Sequence, residues 1–173
     1  ASTVIATQLN QLLGERALHH LDLVLAGQAA PRNPNLRLTC ERLIDSPVEW
    51  YGPARLVGKT ERDRFPQCLN DLPVLLPTGH SALRPTLDHW FEAQGLRPRI
   101  VGEFEDSALL AVFAARGLGV FPVSRLGADD IGLMRGLRVL GSSDGVKEEI
   151  HAIRSRRGHH HPLVLQVIAA ASR

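Results

Sequence analysis

Along residues 72–122 the apolar positions switch between two periods, and the switching predicts strand, helix, strand, helix, strand. Leu72-Pro73-Val74-Leu75-Leu76 is a continuous apolar run, as a strand buried on both faces requires. Leu83, Leu87, Trp90 and Phe91 then recur at helical spacing and predict an amphipathic helix. Pro85 is compatible with that helix because it falls in the first turn. Gly95 ends the helix and Pro98 blocks any continuation. Residues 99–103 form the second strand. Asp106 or Ser107 caps a second helix, whose buried face is expected to hold Leu109, Val112 and Phe113. Gly117 closes it, and residues 119–122 make the third strand. Strands and helices alternating at this length give βαβαβ, hence a parallel sheet with right-handed crossovers. Ligands of such sheets sit beyond the carboxyl ends of the strands. Those ends are Thr78-Gly79-His80-Ser81, Glu103-Phe104-Glu105-Asp106 and the loop after Pro122.

The remaining pattern is less regular. Residues 1–6 are too short to assign, although Thr3, Val4 and Ile5 favour a strand. From Leu9 a helix is expected, with Leu9, Leu12, Leu13 and Ala17 on one face and Gly14 weakening it. Residues 20–27 read as a nearly continuous apolar, parallel and buried strand, and residues 28–35 as a loop. Residues 36–40 and 48–51 read as two strands with Asp45, Ser46 and Pro47 between them. Residues 65–72 make one short helical turn. Residues 124–134 are a loose helix containing Gly127 and Gly132. Residues 137–140 and 146–154 are strands joined by Gly141-Ser142-Ser143-Asp144-Gly145. Pro162 opens a last helix over 163–171 at its preferred first position, so His159-His160-His161 reads as native sequence inside the chain. These elements divide into a first lobe of residues 1–52 plus 155–173, a crossover over 53–65, and a second lobe over 66–154. The final helix is expected to return to the first lobe, because the βαβαβ unit closes without it.

Composition narrows the function classes. A hydrophobic content of 44% over 173 residues is that of a globular chain. The formal net charge of +2 comes from interspersed acids and bases, not from the basic stripe of a nucleic-acid binder. No apolar run approaches the ~18 residues of a membrane span, and no secretory signal opens the chain. The two cysteines, Cys40 and Cys68, have no metal or redox spacing and read as reduced thiols.

Three constellations carry candidate chemistry. Thr78, Gly79, His80 and Ser81 stand at the start of a helix, where free N–H groups, the dipole and two hydroxyls suit an anion or a carbonyl. The plain alternative is a helix cap with a flexible loop. Glu103, Glu105 and Asp106 concentrate carboxylates at the next strand end, the oxygen donors a hard cation wants. The plain alternative there is that Asp106 caps its helix and the glutamates are solvated or paired with Arg97 or Arg99. The eight histidines lack zincin or zinc-finger spacing, so neither a catalytic nor a structural metal is expected, though a histidine is suited to sensing pH. Ser81, Ser107 and Ser124 lack a nucleophile elbow, and no glycine pattern fits a P-loop or a dinucleotide fingerprint.

In order, the LDLVLAG strand, the two-strand excursion, LPVLLPTGHSALRPTLDHWFEAQGLRP, the acidic turn GEFEDSALL and RGLGVFP resemble the effector-binding domain of LysR-type transcriptional regulators. The resemblance covers residues 12–172. GEFEDSALL is specific, whereas LDLVLAG and RGLGVFP are general to the family. FPQCLND, IVGEFEDSALLAVFAARGLGVFP and the His-Pro opening of the last helix resemble a sodium-responsive activator within it. The resemblance implies an α/β fold of two Rossmann-like lobes in the style of type II periplasmic binding proteins. The first lobe is expected to be truncated at its N-terminus, with Ala1 near the second strand. A small-molecule or ion effector is implied between the lobes, at Thr78, Gly79, His80, Ser81, Glu103, Glu105 and Asp106, with a response to sodium and pH. No catalytic residue, cofactor, resident metal or membrane is implied. The resemblance also implies that DNA is contacted only through a winged helix-turn-helix with no counterpart here, and that the full-length protein is a cytoplasmic dimer or tetramer. A solute-binding protein of the same fold is the alternative. An α/β enzyme is a third class, for which no acid–base pair or nucleophile constellation is found.

Overall fold

The computed structural model describes residues 4–6, 23–27, 29–30, 38–125, 128, 136–155, 166 and 169. The chain divides into two compact units, Ala1–Asp45 with Glu149–Arg173, and Ser46–Glu148. The sequence pattern had set its boundaries at 52 and 154. Two long strands, β3 (Leu38–Pro53) and β7 (Leu137–Ser155), contribute residues to both units.

In the first unit, β1 (Val4–Ala6) pairs in parallel with β2 (Leu23–Ala26), and β2 pairs antiparallel with the last part of β7. Leu23, Val24 and Ala26 are buried, with Ala152 and Ile153 of β7 beside them, as the apolar run over 20–27 requires. The helix expected from Leu9 and the histidine triplet lie outside the described residues. Of the last helix only Gln166 and Ala169 are described, and both are helical.

The second unit is built around β4 (Pro73–Pro77). Val74, Leu75 and Leu76 are completely buried. On one edge β4 pairs in parallel with β5 (Arg99–Phe104). On the other, Leu75 N donates to Val120 O at 2.9 Å and Val120 N donates to Pro73 O at 2.8 Å. Val120 leads directly into β6 (Phe121–Ser124), which pairs antiparallel with Val48–Tyr51 of β3. The alternation along β4 sends its side chains into two cores. Val74 and Leu76 join Leu87, Trp90 and Phe91 of α2 (Leu83–Ala93), while Leu75 joins Leu110, Ala111 and Ala114 of α3 (Ser107–Ala115). Trp50 is fully buried in the first core, with ring centroids 6.3 Å from Trp90 and 6.0 Å from Phe91. Its indole Nε1 donates to Ser143 Oγ of β7 at 2.9 Å, which satisfies its polar atom.

Three local expectations are corrected. The buried face of α3 is Leu110, Ala111 and Ala114, not Leu109, Val112 and Phe113. Leu109 and Phe113 are 49% and 38% exposed, and Val112 is half-buried. Small side chains let this helix approach Leu75 and Phe121 closely, so the face with less bulk is the one that packs. Phe113 instead meets Phe104 at the sheet margin, with centroids 5.4 Å apart. Residues 36–40 and 48–51 belong to one strand, β3, and Asp45-Ser46-Pro47 does not break it. The ladder to β6 begins at Val48, so Pro47 lies before it and its lack of an N–H costs that ladder nothing. Likewise residues 137–140 and 146–154 are one strand, β7, running through the glycine-serine segment. The expected crossover contains a one-turn helix, α1 (Lys59–Asp63), where Gly58 N donates to Glu61 Oε2 at 2.9 Å. The short turn near 65–72 is a 3-10 helix, Gln67–Asn70.

Both main helices end as their glycines predict. Gly95 and Gly117 sit at φ +65° and +93°. After α2, Gly95 N donates to Glu92 O and Leu96 N to Phe91 O; after α3, Gly117 N donates to Ala114 O and Leu118 N to Phe113 O. Each pair is a Schellman closure. A Cβ at Gly95 meets open space, whereas one at Gly117 meets the Arg55 side chain. Gly95→Ala is therefore expected to cost only the left-handed conformation, about 1–2 kcal/mol, and Gly117→Ala to cost more. Urea unfolding of the two variants beside the parent chain checks the order.

Candidate functional site

The strand ends of β4 and β5 lie side by side, with Pro77 opposite Phe104 in the ladder. Thr78 N continues it by donating to Phe104 O at 3.0 Å. The chain then turns tightly: Ser81 N donates to Thr78 O at 3.0 Å, and Arg84 N to Ser81 O at 3.2 Å. Leu83 N, in the first turn of α2, donates to Ser81 Oγ at 3.3 Å. The local sequence explains this shape. Pro77 ends the strand, and a Cβ at Gly79 would meet open space, so the turn is held by its backbone hydrogen bonds. Ser81 then engages the first N–H groups of the helix. Thr78 and Ser81 are half-buried, and Gly79 and His80 are exposed.

One atom in this loop is unusual. Thr78 Oγ1 is buried with no hydrogen-bond partner. An orphaned buried hydroxyl costs about 1–3 kcal/mol, and here it lies at a parallel-strand carboxyl end, where α/β sheets bind ligands.

The acidic turn is distributed differently from a bare carboxylate cluster. Asp106 is the N-cap of α3, its Oδ1 accepting from Ala108 N at 2.7 Å and from Leu109 N at 3.0 Å. Glu103 pairs with Arg84, not with Arg97 or Arg99. Glu105 is exposed. Arg84 is the residue the sequence reading missed. Its side chain is only 15% exposed, its Nη1 donates to Pro77 O at 2.9 Å, and its Nε donates to Asp88 at 2.9 Å. Burial pulls this guanidinium down, but hydrogen bonds to Glu103 and then Asp88 outweigh it, so its pKa is raised. The available signal was the i,i+4 spacing of Arg84 and Asp88 on a helix that starts beside the acidic strand end. Arg84 thus ties β4, β5 and α2 together beneath the loop. Among the described residues no group of three or more His, Cys, Asp and Glu is arranged to hold a metal ion.

What results is a polar strand-end platform. It presents a hydroxyl with an unused hydrogen bond, an exposed imidazole, a helix N-terminus and the uncommitted carboxylate of Glu105, braced by the pair of largely buried Arg84 with exposed Glu103. It suits recognition of a small polar species.

The model of the LysR substrate binding domain matches residues 3–173. The transcriptional activator protein NhaR of Escherichia coli (strain K12) is 30% identical over 156 residues, covering 90% of this chain and 50% of that protein, and NhaR of Shigella flexneri matches equally. The chain therefore spans about half the length of the curated relatives it matches. Among solved structures, the regulatory domain of HypT from Salmonella typhimurium superposes with a TM-score of 0.70 at 14% identity, over 99% of this chain and 82% of that one. The effector binding domain of QuiR, in complex with shikimate, gives 0.65 at 14%, over 97% and 77%. CbnR, a LysR family transcriptional regulator, gives 0.64 at 15%, over 96% and 55%. At these identities the structures establish a shared fold, a mixed α/β domain of the type II periplasmic-binding kind. The curated relatives are regulators of transcription. With a family model matching nearly its whole length, the chain belongs to the LysR substrate-binding domain family.

Proposed function

We propose that this chain is the effector-sensing regulatory domain of a NhaR-like transcriptional activator. Its effector is a small molecule or an ion that engages Thr78, Gly79, His80, Ser81, Glu103, Glu105 and Asp106. The observation that carries the reading is the orphaned Thr78 Oγ1 at the carboxyl end of β4. On this reading the domain is a sensor and not an enzyme, which the transcriptional activators it resembles support. In the whole protein, DNA is contacted by a winged helix-turn-helix segment, the setting is cytoplasmic, and the regulator is a homo-oligomer. Among the described residues no helix is long and apolar enough to cross a membrane. Ile100 and Val101, each 43% exposed on β5, offer apolar surface for a second copy.

Sodium is the ionic effector this reading favours, with a response coupled to pH. Exposed Glu105 and the Thr78 and Ser81 oxygens supply the hard donors, and Glu103 joins them if it exchanges its arginine for the ion.

Two measurements test the proposal. A ligand that binds only the folded state raises Tm in proportion to RT ln(1 + [L]/Kd). Sodium chloride is expected to raise Tm above potassium chloride at equal ionic strength, and the Glu103→Gln/Glu105→Gln pair to abolish the difference. Equal melting curves in both salts remove sodium as the effector of this domain. In the full-length regulator the same pair is expected to flatten the promoter's sodium response.

The second measurement is Thr78→Val, which keeps the shape and deletes the orphaned hydroxyl. In the effector-free protein it is expected to be neutral or stabilising by about 1 kcal/mol in urea unfolding, while weakening the effector response. A loss of stability instead means that the hydroxyl is already satisfied and the loop is an ordinary cap.

A further inference from the structure

A second cluster lies in the other unit, on the paired strands β3 and β7. Cys40 and Arg42 alternate on β3, and Glu149 and His151 alternate on β7, so each pair shares a face. Cys40 Sγ lies 3.8 Å from His151 Nδ1. His151 Nε2 lies 2.8 Å from Glu149 Oε2, and Arg42 Nη1 donates to Glu149 Oε1 at 3.3 Å. Arg42 also reaches Asp45, at 3.8 Å. Cys40 is exposed, whereas His151 is only 7% exposed.

The hydrogen-bond inventory fixes the roles. An ionised carboxylate only accepts, so the proton between Glu149 and the imidazole sits on His151 Nε2. Hydrogen bonding from His151 holds the Glu149 carboxyl below its ordinary value despite some burial, and Arg42 adds to this. In the neutral ring the lone pair is then on Nδ1, the atom facing Cys40. A thiol beside an imidazole base, with that base oriented by a carboxylate, is the arrangement that activates a cysteine nucleophile.

We propose that Cys40, His151 and Glu149 form a nucleophile–base–orienter relay, and that Cys40 is a covalent modification site for small α,β-unsaturated carbonyl compounds. His151 Nδ1 takes the thiol proton. The sulfur electron pair forms the C–S bond at the β-carbon, and the C=C π pair moves onto the α-carbon and carbonyl oxygen as an enolate. His151 then returns the proton to the α-carbon. The net change is addition of S–H across the double bond, with no oxidant, reductant or leaving group. That closure is why a Michael acceptor suits this cluster: the imidazolium holds the one proton the product needs. Cys40 is reached from solvent, so a small acceptor meets the thiol without opening the fold.

Cys68 supplies an internal contrast. It is 1% exposed, and burial pushes its thiol up to about 11, so it is an inert core residue.

The test uses N-ethylmaleimide, an α,β-unsaturated imide, on the native protein at neutral pH, read by intact mass and peptide mapping. The reference is the unstructured peptide Leu-Thr-Cys-Glu-Arg. One adduct is expected, at Cys40 and not at Cys68, forming about ten-fold or more faster than on the peptide. His151→Gly is expected to remove that advantage, and added imidazole to restore it, which a merely structural histidine does not predict. Glu149→Gln, which keeps the shape and loses the charge, lowers the rate in the same direction. A native Cys40 no faster than the peptide overturns the proposal, as does a His151→Gly rate that is unchanged or unaffected by imidazole. Should His151→Gly fail to fold, the comparison of native protein with peptide decides the matter alone.

Discussion

Complete burial of β4 is the constraint on which the second unit depends. Val74, Leu75 and Leu76 have no exposed surface, and both strand edges are hydrogen-bonded, to β5 and to Val120. A three-residue run cannot meet those demands without helices on both faces and neighbours on both edges. The βαβαβ order is the shortest way for one chain to supply them. The Thr78–Ser81 loop of the candidate site then follows from where β4 stops. Pro77 ends it, Thr78 keeps one last bond to Phe104, and the helix that covers Val74 and Leu76 must begin within a few residues. The loop is polar because it is the first stretch released from the two cores.

The same constraint explains what was legible in the sequence. The apolar run over 72–76 holds the buried strand β4, and the described part of the run over 20–27 is strand β2, which is parallel to β1 but antiparallel to β7. Gly95 and Gly117 marked helix ends because a left-handed residue after a helix is almost always glycine. The errors arose where a choice depended on the partner. On α3 the bulky residues Leu109 and Phe113 outweigh Ala111 and Ala114 by any hydropathy count, yet helix-to-sheet distance selects the small ones. In β3 and β7 the turn-forming residues Asp45-Ser46-Pro47 and Gly141–Gly145 signalled breaks that strand pairing overrode. The polar pairings were the least visible. Arg84 meets Glu103 across 19 residues, and Cys40 meets His151 across 111. Arg84 comes from a helix and Glu103 from a strand, and Cys40 and His151 from two strands distant in sequence, so helix packing and strand register decided which side chains met.

Electrostatics at the candidate site work by commitment, not by accumulation of charge. Three acids in one turn suggested a cation site, but a carboxylate already holding N–H groups or a guanidinium has to exchange those partners for an ion. Asp106 secures two N–H groups of α3, and releasing them uncaps that helix at about 1 kcal/mol. Glu103 holds a largely buried arginine, and leaving Arg84 there unpaired costs more than the exposed carboxylate alone suggests. Exposed Glu105 can change partner most cheaply. A sodium site here is therefore necessarily weak and competes with an internal cation, Arg84. A weak site is what a sensor of an abundant ion requires, since its dissociation constant has to match ambient concentrations.

Thr78 and Trp90 both bury a polar atom without a partner, and the two differ in what the rest of the side chain contributes. Trp90 packs its ring against Trp50, Phe65 and Phe91, so its indole brings a large apolar area into the core. Such an aromatic side chain gains several times the ~0.8 kcal/mol of a single buried methylene, which offsets one unmet N–H. Thr78 contributes one methyl group and loses the hydration of a hydroxyl at about 1–3 kcal/mol, so its balance in the effector-free protein is unfavourable. Valine fits the same volume and the same strand-end conformation without that cost. A threonine there becomes favourable only when something donates to or accepts from Oγ1. Neighbouring polar groups are already engaged: Thr78 N with Phe104, Ser81 Oγ with Leu83, and Arg84 with Pro77, Asp88 and Glu103. On the proposed reading, the unmet bond of Thr78 Oγ1 is the one the effector takes up.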